Sequence, residues 1–142
     1  MIRTTPMAVA LLLLGCGFST GQEVEPEGTL SAAIEIDLPF AEVVSANANL
    51  TLVLTAVSED SRCPTDVECL WEGNAAVHVS ISTHEGSPTP LTLNTALEPR
   101  ISEWNAVQVT LLGLTPTPRS DRTIELEQYV ARVRLEPLSA GS

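Results

Sequence analysis

The sequence contains no lysine, and its 7 basic residues are all arginine. They stand against 18 acidic residues, which gives a formal net charge of -11. Nucleic-acid phosphates and anionic lipid headgroups are bound by clustered lysine and arginine side chains. The charge balance therefore argues against a nucleic-acid partner and against adhesion to a membrane through surface charge. Hydrophobic residues make up 44% of the chain, which is enough apolar material for one packed domain.

Residue types that commonly perform catalysis are also scarce. The only histidines are His78 and His84; we expect the first on the solvent face of a strand and the second beside a turn. From Leu30 onward the sequence has no Gly-x-Ser-x-Gly motif and no glycine-rich phosphate loop. A hydrolase needs a nucleophile beside a base and an orienting acid. We therefore predict that the protein is not an enzyme and carries no cofactor.

The chain lacks an apolar run of the roughly 20 residues that a spanning helix needs. Residues 7–14 form a shorter run behind Arg3, which is typical of a secretory signal peptide. The run ends in Leu13-Leu14-Gly15-Cys16, which resembles the lipobox of bacterial lipoproteins. The resemblance implies a signal peptide over residues 1–15, cleavage before Cys16, and lipidation of Cys16. An ordinary secretory signal that contains a cysteine is the alternative.

Residues 16–28 join this leader to the rest of the chain. After Cys16 the segment consists mainly of Gly, Ser, Thr, Pro and Glu, which is typical of a flexible tether. Two or more acyl chains on Cys16 would hold the protein durably at a membrane. We therefore expect a lipid-anchored protein of the bacterial cell envelope. If the host is Gram-negative, Gly17 favours the outer membrane, because lipoproteins kept at the inner membrane carry aspartate at this position.

Two cysteines remain, Cys63 and Cys69. In an exported chain, an even pair at short spacing predicts a disulfide bond. Structural zinc takes four ligands, and redox-active pairs usually have the spacing Cys-x-x-Cys, so both alternatives are less favoured. Closing this short loop is expected to stabilise the fold by about 2.4 kcal/mol.

From Leu30 onward, apolar and polar residues alternate with period two, which is the pattern of half-buried strands. The residues predicted to face inward are Ile34, Ile36, Leu38, Leu50, Leu52, Leu54, Val77, Val79, Ile81, Leu91, Leu93, Val107, Val109, Leu111, Tyr129, Ala131, Val133 and Leu135. Shorter candidate strands are Val43-Val44 and Ile124-Glu125-Leu126. The pattern predicts an all-β domain over residues 29–138. We expect a single antiparallel β-sandwich, immunoglobulin-like or a small barrel, with six to eight strands.

One segment, residues 58–73, interrupts the alternation. It contains Asp-Ser-Arg-Cys-Pro, then a second cysteine, then Trp-x-Gly after one further residue. This signature resembles that of a family of small secreted or lipid-anchored bacterial proteins. The matching residues are Asp60, Ser61, Arg62, Cys63, Pro64, Cys69, Trp71 and Gly73. The flanking strands and the last one also fit the family, so the resemblance covers most of the mature chain, but it implies no particular activity.

The chemistry of these residues predicts structural roles. Pro64 fixes φ and favours a turn directly after the first cysteine. Gly73 permits a positive φ where the next strand begins. We expect Trp71 to pack over the disulfide or over the end of the core. Asp60 and Arg62 are expected to pair with each other or to bond loop carbonyls, which would brace the connection.

The same segment also has two functional interpretations. Loops on a rigid sandwich often bind partners, and tryptophan and arginine dominate interface energetics. The candidate recognition residues are Asp60, Arg62, Pro64, Trp71 and Gly73. Alternatively, the loop carboxylates could bind calcium, although their spacing is not that of an EF-hand. The weak calcium candidates are Asp60, Asp66 and Glu68, with Glu59 and Glu72 nearby.

Together these patterns predict a non-catalytic, lipid-anchored envelope protein that binds or scaffolds an extracytoplasmic partner. Two alternatives stay open. The first is an inhibitor of secreted proteases, because a constrained loop on a small sandwich can block an active-site cleft. The second is a calcium-binding β-domain.

Overall fold

The computed structural model describes residues 29–138, so the predicted leader, Cys16 and the tether lie outside the described residues. Within this range the chain forms eight β-strands and one short 3₁₀ helix (Leu126–Gln128). The strands are β1 (Ile34–Pro39), β2 (Val43–Ser45), β3 (Leu50–Ser58), β4 (Ala76–Thr83), β5 (Thr89–Asn94), β6 (Ile101–Trp104), β7 (Val107–Thr115) and β8 (Val130–Pro137). No helix in this range has the length and apolar character required to cross a membrane.

The strands form two four-stranded sheets. The first sheet has the order β1-β8-β7-β6 and the second has the order β2-β3-β4-β5. All neighbouring strands in both sheets pair antiparallel. The two sheets are separate and do not close into a barrel. The predicted antiparallel β-sandwich is therefore confirmed, and the small barrel is wrong.

The core lies between the sheets and is built from the alternating apolar residues. Side chains alternate across a strand, so each strand sends every second residue into the interior. Residues predicted to face inward are buried on β3, β4, β5, β7 and β8. Ile34 and Ile36, on the edge strand β1, are only partly buried and pack against this core. The period-two pattern thus identified the inner face of both sheets.

Two short elements differ from the prediction. Ile101–Trp104 forms the edge strand β6, which the alternation did not reveal. Ile124-Glu125-Leu126 is not a strand, because the chain turns there into the 3₁₀ helix Leu126–Gln128. Glu125 N–H donates to Gln128 Oε1 at 2.9 Å. This capping contact satisfies a backbone donor locally, where a strand would need a neighbour.

A β-bulge in β7 shifts the alternation. The pairing of β7 with β8 changes register between Leu111 and Gly113. Leu112 is consequently 42% exposed, whereas Leu114 is buried. An extra residue in one strand reverses the face of the sheet to which each later side chain of that strand points. Leu114 is therefore a core residue that strict alternation from Val107 does not predict.

Candidate functional site

We call residues 59–75, which connect β3 to β4, the disulfide loop. Cys63 and Cys69 form the predicted disulfide bond, with 5.9 Å between their Cα atoms. Nearer the sandwich, the two arms of the loop bond to each other, since Cys63 N–H donates to Glu72 O at 2.9 Å. The loop thus leaves the sandwich as an irregular extension of the β3–β4 hairpin, and the disulfide closes its outer part.

Arg62 ties this loop to the other sheet. Its guanidinium forms a bidentate pair with Asp60, with Nε–Oδ1 at 2.8 Å and Nη2–Oδ2 at 2.7 Å. The same group donates to Leu114 O at 2.6 Å and to Pro116 O at 3.0 Å. The Tyr129 hydroxyl donates to Asp60 Oδ2 at 2.7 Å. We call Asp60, Arg62 and Tyr129 the Arg62 cluster.

The Arg62 cluster is almost fully withdrawn from solvent. The side chains of Arg62 and Asp60 are 12% and 14% exposed, and Tyr129 is buried. Burial alone would raise the pKa of Asp60, but the hydrogen bonds from Arg62 and Tyr129, with the Arg62 charge, outweigh it and hold this pKa below its ordinary value. Burial, and then the hydrogen bond to Asp60, raises the pKa of Tyr129 to about 12.

The cluster confirms the predicted pairing of Asp60 with Arg62. Of the two carbonyls that Arg62 bonds, Pro116 O lies in a loop, as predicted, and Leu114 O lies on β7. Tyr129 was predicted only as an inward-facing strand residue, so its bond to Asp60 was missed. At neutral pH the carboxylate, the guanidinium and the neutral phenol hold one another in place. Removing any one of them would leave a polar group without its partner in a site that water hardly reaches. The cluster is a structural brace.

Gly73 and Pro64 take the backbone roles that were predicted for them. Gly73 has a φ of 70°, which side-chain-bearing residues rarely adopt. A Cβ at this position would overlap the carbonyl group of Ser61 on the opposite arm. Pro64 begins a turn in which Val67 N–H donates to Pro64 O at 3.4 Å.

Asn74 positions a second connection, between β5 and β6, against the disulfide loop. Its Nδ2 donates to Asn94 Oδ1 at 2.8 Å. Its Oδ1 accepts from the backbone N–H groups of Ala96, at 3.0 Å, and Leu97, at 3.2 Å. Sequence reasoning missed this residue. The available signal was an asparagine directly after Gly73, since asparagine side chains commonly bond backbone groups in turns.

The connection between β7 and β8 supports the loop on another side. Thr65 N–H donates to Pro118 O at 3.0 Å. Ser120 donates to both carboxylate oxygens of Asp66, with its N–H at 2.9 Å and with its hydroxyl. Both bonds lower the pKa of Asp66, and the bond from the Ser120 hydroxyl has the larger effect. Asp66 therefore fastens one loop to another.

The carboxylates considered for calcium do not converge. Asp60 is paired with Arg62, and Asp66 is bonded to Ser120. Among residues 29–138, Glu68 included, no group of three or more His, Cys, Asp and Glu side chains could hold a metal ion. Because calcium takes six to eight oxygen ligands, this arrangement does not form the calcium site that was considered.

Trp71 was predicted to pack over the disulfide or over the end of the core, and this prediction was wrong, because the side chain is not buried at either place. It is 76% exposed, and its neighbour Leu70 is 93% exposed. The place at the end of the sandwich is taken by the Arg62 side chain, which bonds the carbonyls of Leu114 and Pro116. The outer part of the loop therefore presents its apolar side chains to solvent.

Trp71 lines an open cleft of about 410 Å³ between the disulfide loop and the β5–β6 connection. Leu97, which is 60% exposed, lines it from the second connection, together with Ala96. Glu72 and Gly73 contribute from the loop itself. We call this the Trp71 cleft. Its volume falls in the range of small ligand pockets and exceeds what one side chain fills.

A serine and a histidine also meet on the outer face of the second sheet. His78 Nε2 lies 2.8 Å from Ser58 Oγ, and His78 Nδ1 lies 3.1 Å from Thr92 Oγ1. His78 is on the solvent face, as predicted. β4 is paired on both sides, to β3 and to β5, so the backbone around His78 takes part in the hydrogen bonds of the sheet.

Comparisons of the chain with protein-family models, with curated proteins and with solved structures give no match. The resemblance of the Asp-Ser-Arg-Cys-Pro segment to a family of small secreted or lipid-anchored bacterial proteins therefore stays a prediction. Fold and geometry define the class: a β-sandwich domain with a braced, disulfide-closed loop that displays large apolar side chains.

Proposed function

We propose that this is a non-catalytic, lipid-anchored protein of the bacterial envelope that binds an extracytoplasmic protein through its disulfide loop. The observation that carries the proposal is the exposure of Leu70 and Trp71, 93% and 76%, side by side on a braced loop. Exposed apolar patches of this kind mark interaction sites. Tryptophan is also among the residues that contribute most to binding energy in interfaces.

The rigidity of the loop base supports recognition. The disulfide, the Arg62 cluster and the Asn74 bonds hold the loop before any partner arrives. A loop that is already ordered loses little conformational entropy on binding, so more of the contact energy appears as affinity. The braces thus turn an exposed apolar patch into a pre-organised surface.

Membrane attachment through Cys16 is the second part of the proposal. It is supported by the lipobox-like ending of the leader and by the composition of residues 17–28, which is typical of a tether. Changing Cys16→Ser should move the protein from the membrane fraction to the soluble fraction of lysed cells. Retention of the variant in washed membranes would contradict the anchor.

Photo-crosslinking in intact cells tests the binding surface. A photoreactive amino acid replaces Leu70 in one strain and Leu112 in a matched strain, since Leu112 is also exposed but lies on the bulge of β7. We expect a defined adduct from position 70 that disappears when Trp71→Ala is added, and none from position 112. Identical adducts from both positions, or an adduct that Trp71→Ala does not change, would contradict the proposal.

Protease inhibition is the second candidate function. It is favoured by the 93% exposure of Leu70 directly after Cys69, because a primary specificity pocket accepts a projecting side chain of this kind. The protein in nonionic detergent is assayed against secreted serine proteases that prefer leucine or aromatic residues. Inhibition that Leu70→Ser abolishes and Leu112→Ser preserves would support this function, and full protease activity throughout would exclude it.

A further inference from the structure

Carboxylates without a cationic partner accompany the apolar part of the disulfide loop. Residues 59–75 contain five acidic residues and one arginine, Arg62, whose charge is already paired with Asp60. Glu68 and Glu72 flank Leu70 and Trp71 in the chain and are exposed. Neither makes an ion pair with any residue of the described range 29–138. The surface is therefore both apolar and uncompensated in negative charge.

This combination restricts what can cover it. Glu72 is exposed and belongs to the lining of the same cleft as Trp71 and Leu97. A partner that covers the cleft and its rim therefore also removes water from the Glu72 side chain. Desolvating a charged group costs free energy unless an opposite charge replaces the lost water. A purely apolar partner would leave the Glu72 carboxylate without water and without a countercharge, which would weaken binding. A cationic side chain would supply the countercharge and could also stack on the exposed indole ring.

A lipid bilayer fits this surface poorly. The headgroups of bacterial envelopes include anionic lipids, and a surface with Glu68 and Glu72 beside its apolar residues would be repelled by them. The chain as a whole carries a formal net charge of -11 and no lysine, so it offers little attraction to offset this repulsion. Insertion of Trp71 into the membrane is therefore disfavoured.

A second copy of this chain fits no better. In a twofold dimer the same patch is used by both copies, which would place four carboxylates, Glu68 and Glu72 of each copy, in one interface. Like charges placed opposite each other oppose association. The occupant must differ from this chain by carrying positive charge.

We infer that the Trp71 cleft binds a cationic segment of another protein, in which arginine or lysine stands next to an apolar side chain. The apolar side chain contacts Trp71 and Leu97, and the cation lies between the indole ring and the carboxylate of Glu72. This inference rests on the proposed function, because it names the chemistry of the partner for the same surface.

Defined peptides test the inference. A fluorescently labelled peptide of alternating arginine and leucine is titrated into the protein in nonionic detergent, and binding is followed by anisotropy. Two counterparts of equal length carry glutamate for arginine, or serine for leucine. We expect the arginine–leucine peptide to bind at least about tenfold more tightly than either counterpart. Its binding should weaken several-fold when salt rises from about 0.05 to 0.5 M, because screening reduces charge attraction.

Variants locate the binding. Trp71→Ala should weaken the arginine–leucine peptide by about tenfold or more, and the double variant Glu68→Gln, Glu72→Gln should weaken it several-fold. The matched control, Glu42→Gln with Glu85→Gln, removes two exposed carboxylates from other turns and should leave binding unchanged. No binding of the arginine–leucine peptide, equal binding of its counterparts, or equal effects of the two glutamine pairs would overturn the inference.

Further outcomes distinguish the cationic-partner inference from the proposed function and from insertion of Trp71 into a membrane. If crosslinking at position 70 depends on Trp71 but not on Glu68 and Glu72, the recognition surface stands and its cationic specificity falls. If crosslinking is independent of Trp71, the proposed function itself falls.

In proteoliposomes with brominated phosphatidylglycerol, we expect the same fluorescence quenching with and without Trp71→Phe, because Trp71 stays out of the bilayer. Quenching that this variant removes would assign the surface to the membrane and overturn the inference.

Discussion

The base and the outer part of the disulfide loop reverse the usual distribution of residues. At the base, an arginine and an aspartate are withdrawn from solvent, with exposures of 12% and 14%. In the outer part, Leu70 and Trp71 stand in water, with exposures of 93% and 76%. Folded proteins normally bury the second kind of side chain and expose the first. Both halves of the reversal occur within a dozen residues.

This difference indicates which part of the loop stabilises the fold and which part is available for binding. The Arg62 cluster bonds the loop to other elements, since Arg62 donates to the Leu114 carbonyl of β7 and Asp60 accepts from the hydroxyl of Tyr129, the residue before β8. Leu70 and Trp71 make no such contact with the rest of the described chain and so contribute little to it. Substitutions at the base or of the disulfide should therefore cost stability, and substitutions of Leu70 and Trp71 should cost binding alone. Five variants test this division.

The largest expected effect is that of Arg62→Met. It leaves the Asp60 carboxylate without its countercharge, and it removes the guanidinium donor from the carbonyls of Leu114 and Pro116. Breaking a nearly buried pair in this way should lower the free energy of unfolding by about 3 kcal/mol, measured by urea denaturation. Arg119→Met is the control, because that arginine is 45% exposed and its ion pair with Asp121 lies in solvent. Equal losses in the two variants would contradict the role of the cluster.

Removing the disulfide ranks next. Cys63→Ser with Cys69→Ser should lower the free energy of unfolding by about 2.4 kcal/mol, because the unfolded chain regains the freedom that the cross-link removed. Wild-type protein treated with a reductant should unfold at the same urea concentration as the double variant. An intact mass that showed two free thiols in the oxidised wild type would contradict the bond itself.

Gly73→Ala should lower the free energy of unfolding by about 2 kcal/mol. Alanine is strained at positive φ, and its Cβ would overlap the Ser61 carbonyl group. Gly113→Ala is the matched control, since a Cβ there would meet nothing within 4 Å. Thermal denaturation of both variants measures the difference. Comparable melting temperatures would show that the arms of the loop can separate without cost.

Tyr129→Phe should produce a smaller, pH-dependent loss of about 1.5 kcal/mol, the contribution of a hydrogen bond to a charged acceptor. Because the folded pKa of Tyr129 is raised to about 12, its stabilisation is complete below pH 10 and is lost as the pH rises from 10 towards 12. The folded pKa of Asp60 is lowered, so its contribution has the opposite sign: it is present above pH 4 and is lost as the pH falls below that value.

Urea denaturation across the alkaline range distinguishes the two proteins. The wild type should lose stability between pH 10 and 12 more steeply than Tyr129→Phe, which has no phenol to titrate. Parallel curves would show that folding does not raise the pKa of Tyr129, and would contradict its hydrogen bond to Asp60.

The smallest expected effect on stability is that of Leu70→Ser with Trp71→Ser. Both side chains are largely exposed, so the change in unfolding free energy should stay within about 0.5 kcal/mol, while the variant should bind the arginine–leucine peptide far more weakly than the wild type. Trp104→Ser is the contrast, because Trp104 is partly buried against the core and its loss should destabilise clearly. A large loss of stability in the loop variant would mean that its apolar side chains support the fold.

The strands were predictable because their signal is local. A pleated strand places every second residue on one face, so the runs around Leu52, Val79 and Val133 reveal their own orientation. The same reasoning failed for Ile101–Trp104 and for Ile124-Glu125-Leu126. Alternation over three or four residues does not distinguish an edge strand from a turn.

The loop base was partly predictable and its outer part was not. Gly73, Pro64 and the pairing of Asp60 with Arg62 follow from backbone geometry and from charges two residues apart. The bond from Tyr129 to Asp60 joins residues 69 positions apart, and the contacts of Asn74 join two separate connections. No local pattern carries such contacts.

The amino-acid sequence by itself determined the all-β architecture, the inner face of most strands, the cysteine pair and the glycine at the loop base. Each of these depends on properties that a residue shares with its near neighbours: the pleat, the redox chemistry of a short cysteine spacing, and the absence of a Cβ. Only the tertiary structure decided that Arg62 turns inward and Trp71 outward. A loop side chain is buried or exposed according to which distant segments occupy the space beside it, and that space exists only once both sheets are in place.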